Sequence, residues 1–289
     1  MTSIAARLPL YASLTRLDKP VGTLLLLWPT LTALWIAADG MPSVWLVAVF
    51  VTGTFLMRSA GCAINDAADA EYDAHVKRTS DRVVARGLVS RREAVAVAVA
   101  LAACAALLLP LLNAAAIQLA FIALAIAATY PLAKRFFPIP QLYLGVAFSF
   151  GIPMAFAAVA GVVPAVGWLL MLANAFWVIA YDTEYAMVDR DDDLRLRIKS
   201  SAIFFGRLDV IAVMTSYAAF VFLLSIVGAA IDAGWPFYAG CIVAAGLAVY
   251  HFLLIRHRSR DGCLRAFRHN NWVGVAIFAG AVLDYAIRS

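Results

Sequence analysis

Four acids and one amide fall within nine residues, Asn65, Asp66, Asp69, Glu71 and Asp73, directly after a long apolar run. On a helix, Asn65, Asp66, Asp69 and Asp73 stand at offsets of 0, 1, 4 and 8, which gathers them on one face. Like charges on one stripe repel unless something positive binds them. A divalent metal with oxygen ligands fits, and Mg²⁺ in particular, because it keeps several waters and also holds phosphate. The plainer reading is a solvated acidic loop between apolar segments.

A second acidic stretch runs from Tyr181 to Asp193. Its Asp182, Asp189 and Asp193 are 7 and 4 residues apart, so on a helix they lie within about 20° of a common direction. Two such stripes on one side suit two metal ions clamped around a diphosphate. Lys77, Arg78, Arg82 and Arg86 follow the first stripe, and Arg190, Arg195, Arg197 and Lys199 the second. Metal ions with Lys and Arg are the usual surroundings of phosphate oxygens. The plainer reading of these cations is the positive bias of cytoplasmic loops.

The elements that must position these stripes are membrane helices. The chain has 289 residues, of which 64% are hydrophobic and only 14% charged. A soluble domain is about 45–50% apolar and about 25% charged. The net charge of +5 is therefore read through its distribution and not as a nucleic-acid footprint. Cys62, Cys104, Cys241 and Cys263 form no Cys-x-x-Cys pair and are read as small apolar residues. The first apolar run lacks a convincing cleavage site, so no cleaved signal peptide is expected.

Residues 1–20 read as an amphipathic segment on the membrane surface. Uncharged runs place spans at 21–38, with a kink expected at Pro29, and at about 43–64, where Arg58 is the one charge. Two spans fit in 94–133, folded back near Pro110–Asn113, and two in 136–181, with a turn near Gly161–Gly167. Three more fit at 210–231, 235–255 and 271–287, with charged loops at 182–207 and 256–268. The fold expected is all-α: one polytopic domain over 1–289 with nine transmembrane helices. Of the 23 Lys and Arg residues, 21 fall on one side of this topology, Arg58 lies in the second span near the same end, and only Arg288 falls opposite. That puts the N-terminus and both acidic stripes on the cytoplasmic side. The four histidines are scattered and are read as interface residues, not metal ligands.

The string Asn65-Asp66-x-x-Asp69-x-x-x-Asp73 resembles the first signature of the UbiA superfamily of intramembrane aromatic prenyltransferases. Asp189-x-x-x-Asp193, preceded by Tyr181-Asp182-x-x-Tyr185, is similar to its second signature. Arg16-Leu-Asp-Lys19-Pro20, Trp28-Pro29-Thr30, Met57-Arg58-Ser59-Ala60-Gly61, His75-Val-Lys77-Arg78-Thr79 and Tyr130-Pro131-x-x-Lys134-Arg135 resemble the 4-hydroxybenzoate polyprenyltransferase branch. The chain departs from the pattern at Val83-Val84, where Pro-Leu is usual, at Arg86, where a small residue is usual, and at Glu184, often Gln. The last two would add charge beside a diphosphate.

The resemblance implies nine helices around a central cavity open to the cytoplasm and laterally to lipid. It implies Mg²⁺-dependent transfer from a polyprenyl diphosphate to 4-hydroxybenzoate, a step of ubiquinone synthesis, at a bacterial inner membrane. No nucleic acid and no protein partner are expected. Asn65, Asp66, Asp69 and Asp73 would hold one Mg²⁺, and Asp182, Asp189 and Asp193 the other. Lys77, Arg78, Arg82 and Lys199 would neutralise diphosphate, and Lys134 would sit beside Arg135, which would pair the acceptor carboxylate. Asp69, Asp73, Asp189, Asp193 and Arg135 are the catalytic candidates. Two alternatives remain: the same family with another aromatic acceptor, and a cation-coupled transporter.

Overall fold

The computed structural model describes residues 4–288, and the side chains of all of these except 4–6 and 131–135. Twelve α-helices follow one another, and no strand occurs among the described residues. They are α1 (Ile4–Leu14), α2 (Val21–Ala37), α3 (Val44–Asp73), α4 (Arg91–Ala106), α5 (Ala114–Phe136) and α6 (Pro140–Ser149). Then come α7 (Gly151–Ala160), α8 (Ala165–Leu196), α9 (Ser201–Phe205), α10 (Asp209–Ala230), α11 (Trp235–Ile255) and α12 (Arg260–Arg288).

Among the described residues, seven stretches are long and apolar enough to cross a bilayer: Val44–Asp73, Arg91–Leu111, Pro140–Ala160, Ala165–Leu196, Ser201–Ala230, Trp235–Ile255 and Arg260–Arg288. Two shorter apolar helices, Val21–Ala37 and Ala114–Tyr130, fall where the sequence placed its first and fourth spans. The chain is a multi-pass, all-helical membrane protein.

Local sequence explains where several helices start and stop. Ser43 Oγ accepts from Leu46 N at 3.3 Å and Ser90 Oγ from Glu93 N at 3.2 Å, each capping a helix whose first amides lack partners. Pro140 and Pro236 open α6 and α11, where a missing N–H costs nothing. Gly161, at φ 74°, ends α7 in the left-handed conformation.

Three boundaries correct the sequence reading. α3 does not stop near Ile64 but runs through Asp73, and α8 carries the stretch from Asp182 to Leu196 as helix and not loop. In both cases an arginine of the loop after α3 meets an acid of the extension, Arg82 with Asp73 and Arg78 with Asp189. The stretch 260–268 is also helical: Ser259 Oγ accepts from Gly262 N at 3.2 Å, and Asp261 pairs with Arg265 one turn on at 3.0 Å. Apolarity marks the bilayer, not the helix end. In addition, α2 runs unbroken through Pro29, while the fifth span divides at Phe150 into α6 and α7.

The helices approach closely where side chains are absent. A Cβ on Gly151 would stand 2.3 Å from Thr30 Oγ1, so the contact of α7 with α2 requires glycine. The main core gathers Trp177, Tyr217, Phe156 and Phe237 among α2, α7, α8, α10, α11 and α12. A second, smaller cluster packs Leu14 of α1, Ala63, Ala67 and Ala70 of α3, and Val83 and Val84 of the loop that follows. The two valines standing where Pro-Leu is usual thus supply an apolar anchor for the 74–90 loop. Leu14 turns inward while Leu8 and Leu17 stay exposed, and residues 1–3 of the amphipathic segment lie outside the described residues.

Candidate functional site

The 74–90 loop lies between the two acidic stripes and joins them. Thr79 Oγ1 donates to Asp73 O at 3.0 Å, fixing the loop to the end of α3. From there Arg82 Nη1 donates to Asp73 Oδ2 at 2.7 Å and approaches Asp66 Oδ1 at 3.1 Å. Arg78 reaches the other way, to α8: its Nε lies 3.0 and 2.9 Å from the two oxygens of Asp189. Its Nη1 donates to Tyr185 Oη, and its guanidinium stands 4.2 Å from the centre of the Tyr185 ring. One loop therefore ties Asp66 and Asp73 of α3 to Asp189 of α8.

These guanidinium groups are held in their charged form. Burial alone disfavours the charge on Arg78, but Tyr185 and Asp189 outweigh it and raise its pKa. Burial likewise acts against Arg82, and Asp66 and Asp73 more than offset it. Bidentate and charge-assisted contacts of this kind are the strong class of hydrogen bond.

The remaining candidates surround this junction. Asn65 and Asp69 are half-buried on α3, as is Asp182 on α8, while Asp193 is buried one turn beyond Asp189. Lys77 is exposed, and its backbone N–H points to Asp192 Oδ2 at 3.4 Å, which Arg260 Nη1 also meets at 3.0 Å. Lys199 is exposed and donates from Nζ to Phe136 O at 3.2 Å, at the end of α5. The side chains of Lys134 and Arg135 lie outside the described residues. Arg86 is exposed.

An apolar cavity of about 310 Å³ opens beside Asn65. It runs between α3, α4, α5 and the α6–α7 pair, past Ile64, Leu112, Phe121 and Met154. Arg58 lines it, 5.5 Å from the centre of the Phe148 ring and against the bare backbone of Gly22. Among the described residues Arg58 makes no ion pair. A cation inside a membrane protein is costly and points to function.

Whether the acids fit a metal depends on what else binds it. No group of three or more Asp, Glu, His or Cys among the described residues is close enough to hold an ion alone. Mg²⁺ does not require such a cage: it keeps waters and binds through one or two carboxylates plus substrate phosphates. Asp69, Asp73, Asp189 and Asp193, with the amide oxygen of Asn65, are hard oxygen donors of the right type.

Two expectations are corrected. Glu184 does not face the junction: it is fully buried, its Oε2 accepts from Asn270 Nδ2 at 2.8 Å, and its Oε1 lies 3.1 Å from the Tyr217 hydroxyl. His251 and His269 are not scattered interface residues. His251 is fully buried, with Nδ1 2.8 Å from Tyr217 Oη and Nε2 3.0 Å from His269 Nδ1. Buried polar groups seek partners, and these side chains partner one another across α8, α10, α11 and α12.

Sequence reasoning also missed Arg16, Tyr185 and Arg58 as site residues. Arg58 was within reach, since it precedes Asn65 by seven residues and so shares its helical face.

Comparison with known proteins places these features. Residues 26–273 match the model of the UbiA prenyltransferase family. The chain is 59% identical to the 4-hydroxybenzoate octaprenyltransferase of Azoarcus sp. (strain BH72), over 99% of this chain and 99% of that protein. The apo structure of a UbiA homolog from Aeropyrum pernix K1 superposes with a TM-score of 0.79 at 27% identity, covering 91% of this chain and 97% of that one. A UbiA homolog from Archaeoglobus fulgidus bound to GPP and Mg²⁺ shares the fold, with a TM-score of 0.73 at 17% identity over 96% and 99% of the two chains.

Proposed function

The chain belongs to the UbiA prenyltransferase family, and we propose that it transfers a polyprenyl chain from polyprenyl diphosphate to 4-hydroxybenzoate. The product is 3-polyprenyl-4-hydroxybenzoate, the other products are diphosphate and a proton, and the step belongs to ubiquinone synthesis. The observation that carries this reading is the junction of the two acidic stripes beside an apolar cavity, in a chain alike end to end to a named octaprenyltransferase. An eight-unit donor is the length that relative's name supplies.

The allylic C–O bond breaks as the diphosphate leaves, and its growing negative charge must be stabilised. Arg78, Arg82, Lys77 and Lys199 supply fixed positive charge on the loops flanking the junction. Asn65, Asp69 and Asp73 on one side, and Asp182, Asp189 and Asp193 on the other, would hold Mg²⁺. When bound, Mg²⁺ supplies charge neutralisation at phosphate oxygens. The apolar wall of the cavity accepts the first part of the prenyl tail and keeps water from the allylic cation.

The ring carbon ortho to the phenol hydroxyl then attacks that cation, and the displaced ring proton is lost. No side-chain nucleophile is needed. Arg58 is placed to pair the acceptor carboxylate. It stands seven residues before Asn65, about 10 Å along the helix, which leaves the far edge of a benzoate ring toward the diphosphate. The Lys134-Arg135 position is a second proposed carboxylate or phosphate contact. We further propose nine spans, an N-terminus in the cytoplasm and a site facing that side of a bacterial inner membrane, supported by the charge asymmetry of the loops.

Incubating the purified protein with Mg²⁺, a polyprenyl diphosphate and a panel of aromatic acids tests the reading by mass spectrometry. The expected product is the ortho-prenylated 4-hydroxybenzoate. Preference for another acceptor would move the protein within its family, and absence of diphosphate release would overturn the enzyme reading.

A further inference from the structure

Asp66 belongs to the first acidic stripe by sequence, yet its surroundings differ from those of its neighbours. It is only 2% exposed. Arg16 Nη2 donates to both of its oxygens, at 2.8 and 2.9 Å, and Arg82 takes up Oδ1 again at 3.1 Å. Asp73 and Asp189 each meet one guanidinium and keep more exposure, whereas Asp66 meets two and is the most enclosed of the three.

Arg16 is equally committed. It sits just past α1 at φ 59°, a left-handed conformation that a non-glycine residue adopts at a cost. Its Nη1 donates back to Ser13 O at 2.7 Å, so both terminal nitrogens of the guanidinium are engaged. Leu14, two residues before it, is fully buried in the cluster of Ala63, Ala67 and Ala70 on α3. The segment after α1 is therefore pinned across the motif by one apolar and one ionic contact. Arg82, shared between Asp66 and Asp73, is oriented by the same carboxylate.

We propose that Arg16 and Asp66 are positioning residues for prenyl transfer, and that Asp66 is not a metal ligand. Their ion pair straps the segment after α1 onto the first motif, and through Asp66 it sets the direction of Arg82 toward the diphosphate. The proposal rests on the prenyl-transfer reading for its catalytic half, whereas the strap itself is independent of that reading.

The experiment compares Arg16→Ala, Arg16→Lys, Asp66→Asn and the double variant Arg16→Ala/Asp66→Asn as full-length protein in detergent. In EDTA and without substrate, trypsin cleavage of the Arg16–Leu17 bond is followed by mass spectrometry. Asp66→Asn should be cut about tenfold faster than wild type, because losing a buried ion pair frees the segment to open locally. An unchanged rate would overturn the strap, whatever the protein catalyses.

With substrate, both single variants should raise KM for prenyl diphosphate about tenfold, and the double variant should be no worse than the weaker single, as expected of residues acting as a unit. Arg16→Lys should recover part of the loss. The Mg²⁺ concentration for half-maximal rate should stay within about twofold of wild type, since uniform metal binding is untouched. A tenfold rise in that concentration for Asp66→Asn, with Arg16→Ala unaffected, would instead make Asp66 a metal ligand and overturn the proposal.

Discussion

Arg78, on the loop that leaves α3, places its Nε 2.9 Å from Asp189 Oδ2 on α8. Arg82, nine residues after its partner Asp73, lies on the same loop, so one segment meets both acidic helices. Replacing Arg78 by Lys keeps a charge but loses the fork that grips both oxygens of Asp189. The expected result is a fall in kcat/KM for prenyl diphosphate of about tenfold or more, the size of one charged hydrogen bond. Steady-state kinetics at saturating acceptor measures it.

Arg58→Ala should raise KM for 4-hydroxybenzoate by about tenfold or more and leave KM for prenyl diphosphate near wild type, because a carboxylate loses a charged partner. The same pair of constants for Arg135→Ala decides which arginine meets the acceptor. A change confined to prenyl diphosphate would move either residue to the phosphate end.

Removal of metal should stop turnover but not unfold the protein. Arg16, Arg78 and Arg82 pair directly with Asp66, Asp189 and Asp73. The midpoint of thermal unfolding in detergent should therefore differ by only a few degrees with and without EDTA, about 1 kcal/mol or less. A large drop on chelation would mean that the metal, not the arginines, holds α3 and α8 together.

Glu184→Leu should destabilise the helix bundle by about 1–3 kcal/mol, since Tyr217 Oη and Asn270 Nδ2 each lose one acceptor, although Tyr217 keeps Asn270 Oδ1 and Asn270 Nδ2 keeps Ala266 O. Glu184→Gln, which keeps an acceptor oxygen, should cost about 1 kcal/mol or less. Neither should alter the Mg²⁺ dependence of the rate. Thermal unfolding and a magnesium titration check both parts.

Much of the site was legible because its signal is local. Offsets of 0, 1, 4 and 8, or of 7 and 4, describe one face of a helix wherever that helix stands, and both stripes are helical. Glu184 was placed beside the diphosphate from its position in the motif string, without this rule. Five residues before Asp189, it points about 140° away around α8, toward Asn270 and not toward the diphosphate. Arg16 and Asp66 were not legible, because 50 residues separate them and no period connects them. His251 and His269 met for a similar reason, since two lone histidines 18 apart on different helices leave no pattern until the helices pack. The helix ends were misjudged because apolarity ends where the bilayer does, while α3, α8 and α12 extend beyond it on arginine-paired or capped polar turns.

The most direct test measures diphosphate release and product formation by purified Asp69→Ala and Asp189→Ala, one acid from each stripe, with Mg²⁺, polyprenyl diphosphate and 4-hydroxybenzoate. Both variants, assayed below their unfolding temperatures because Asp189→Ala leaves Arg78 without its carboxylate partner, should lose about a hundredfold or more in kcat, because each side of the junction is needed as the leaving charge grows. A near-normal rate in either one would contradict a single pocket shared by α3 and α8.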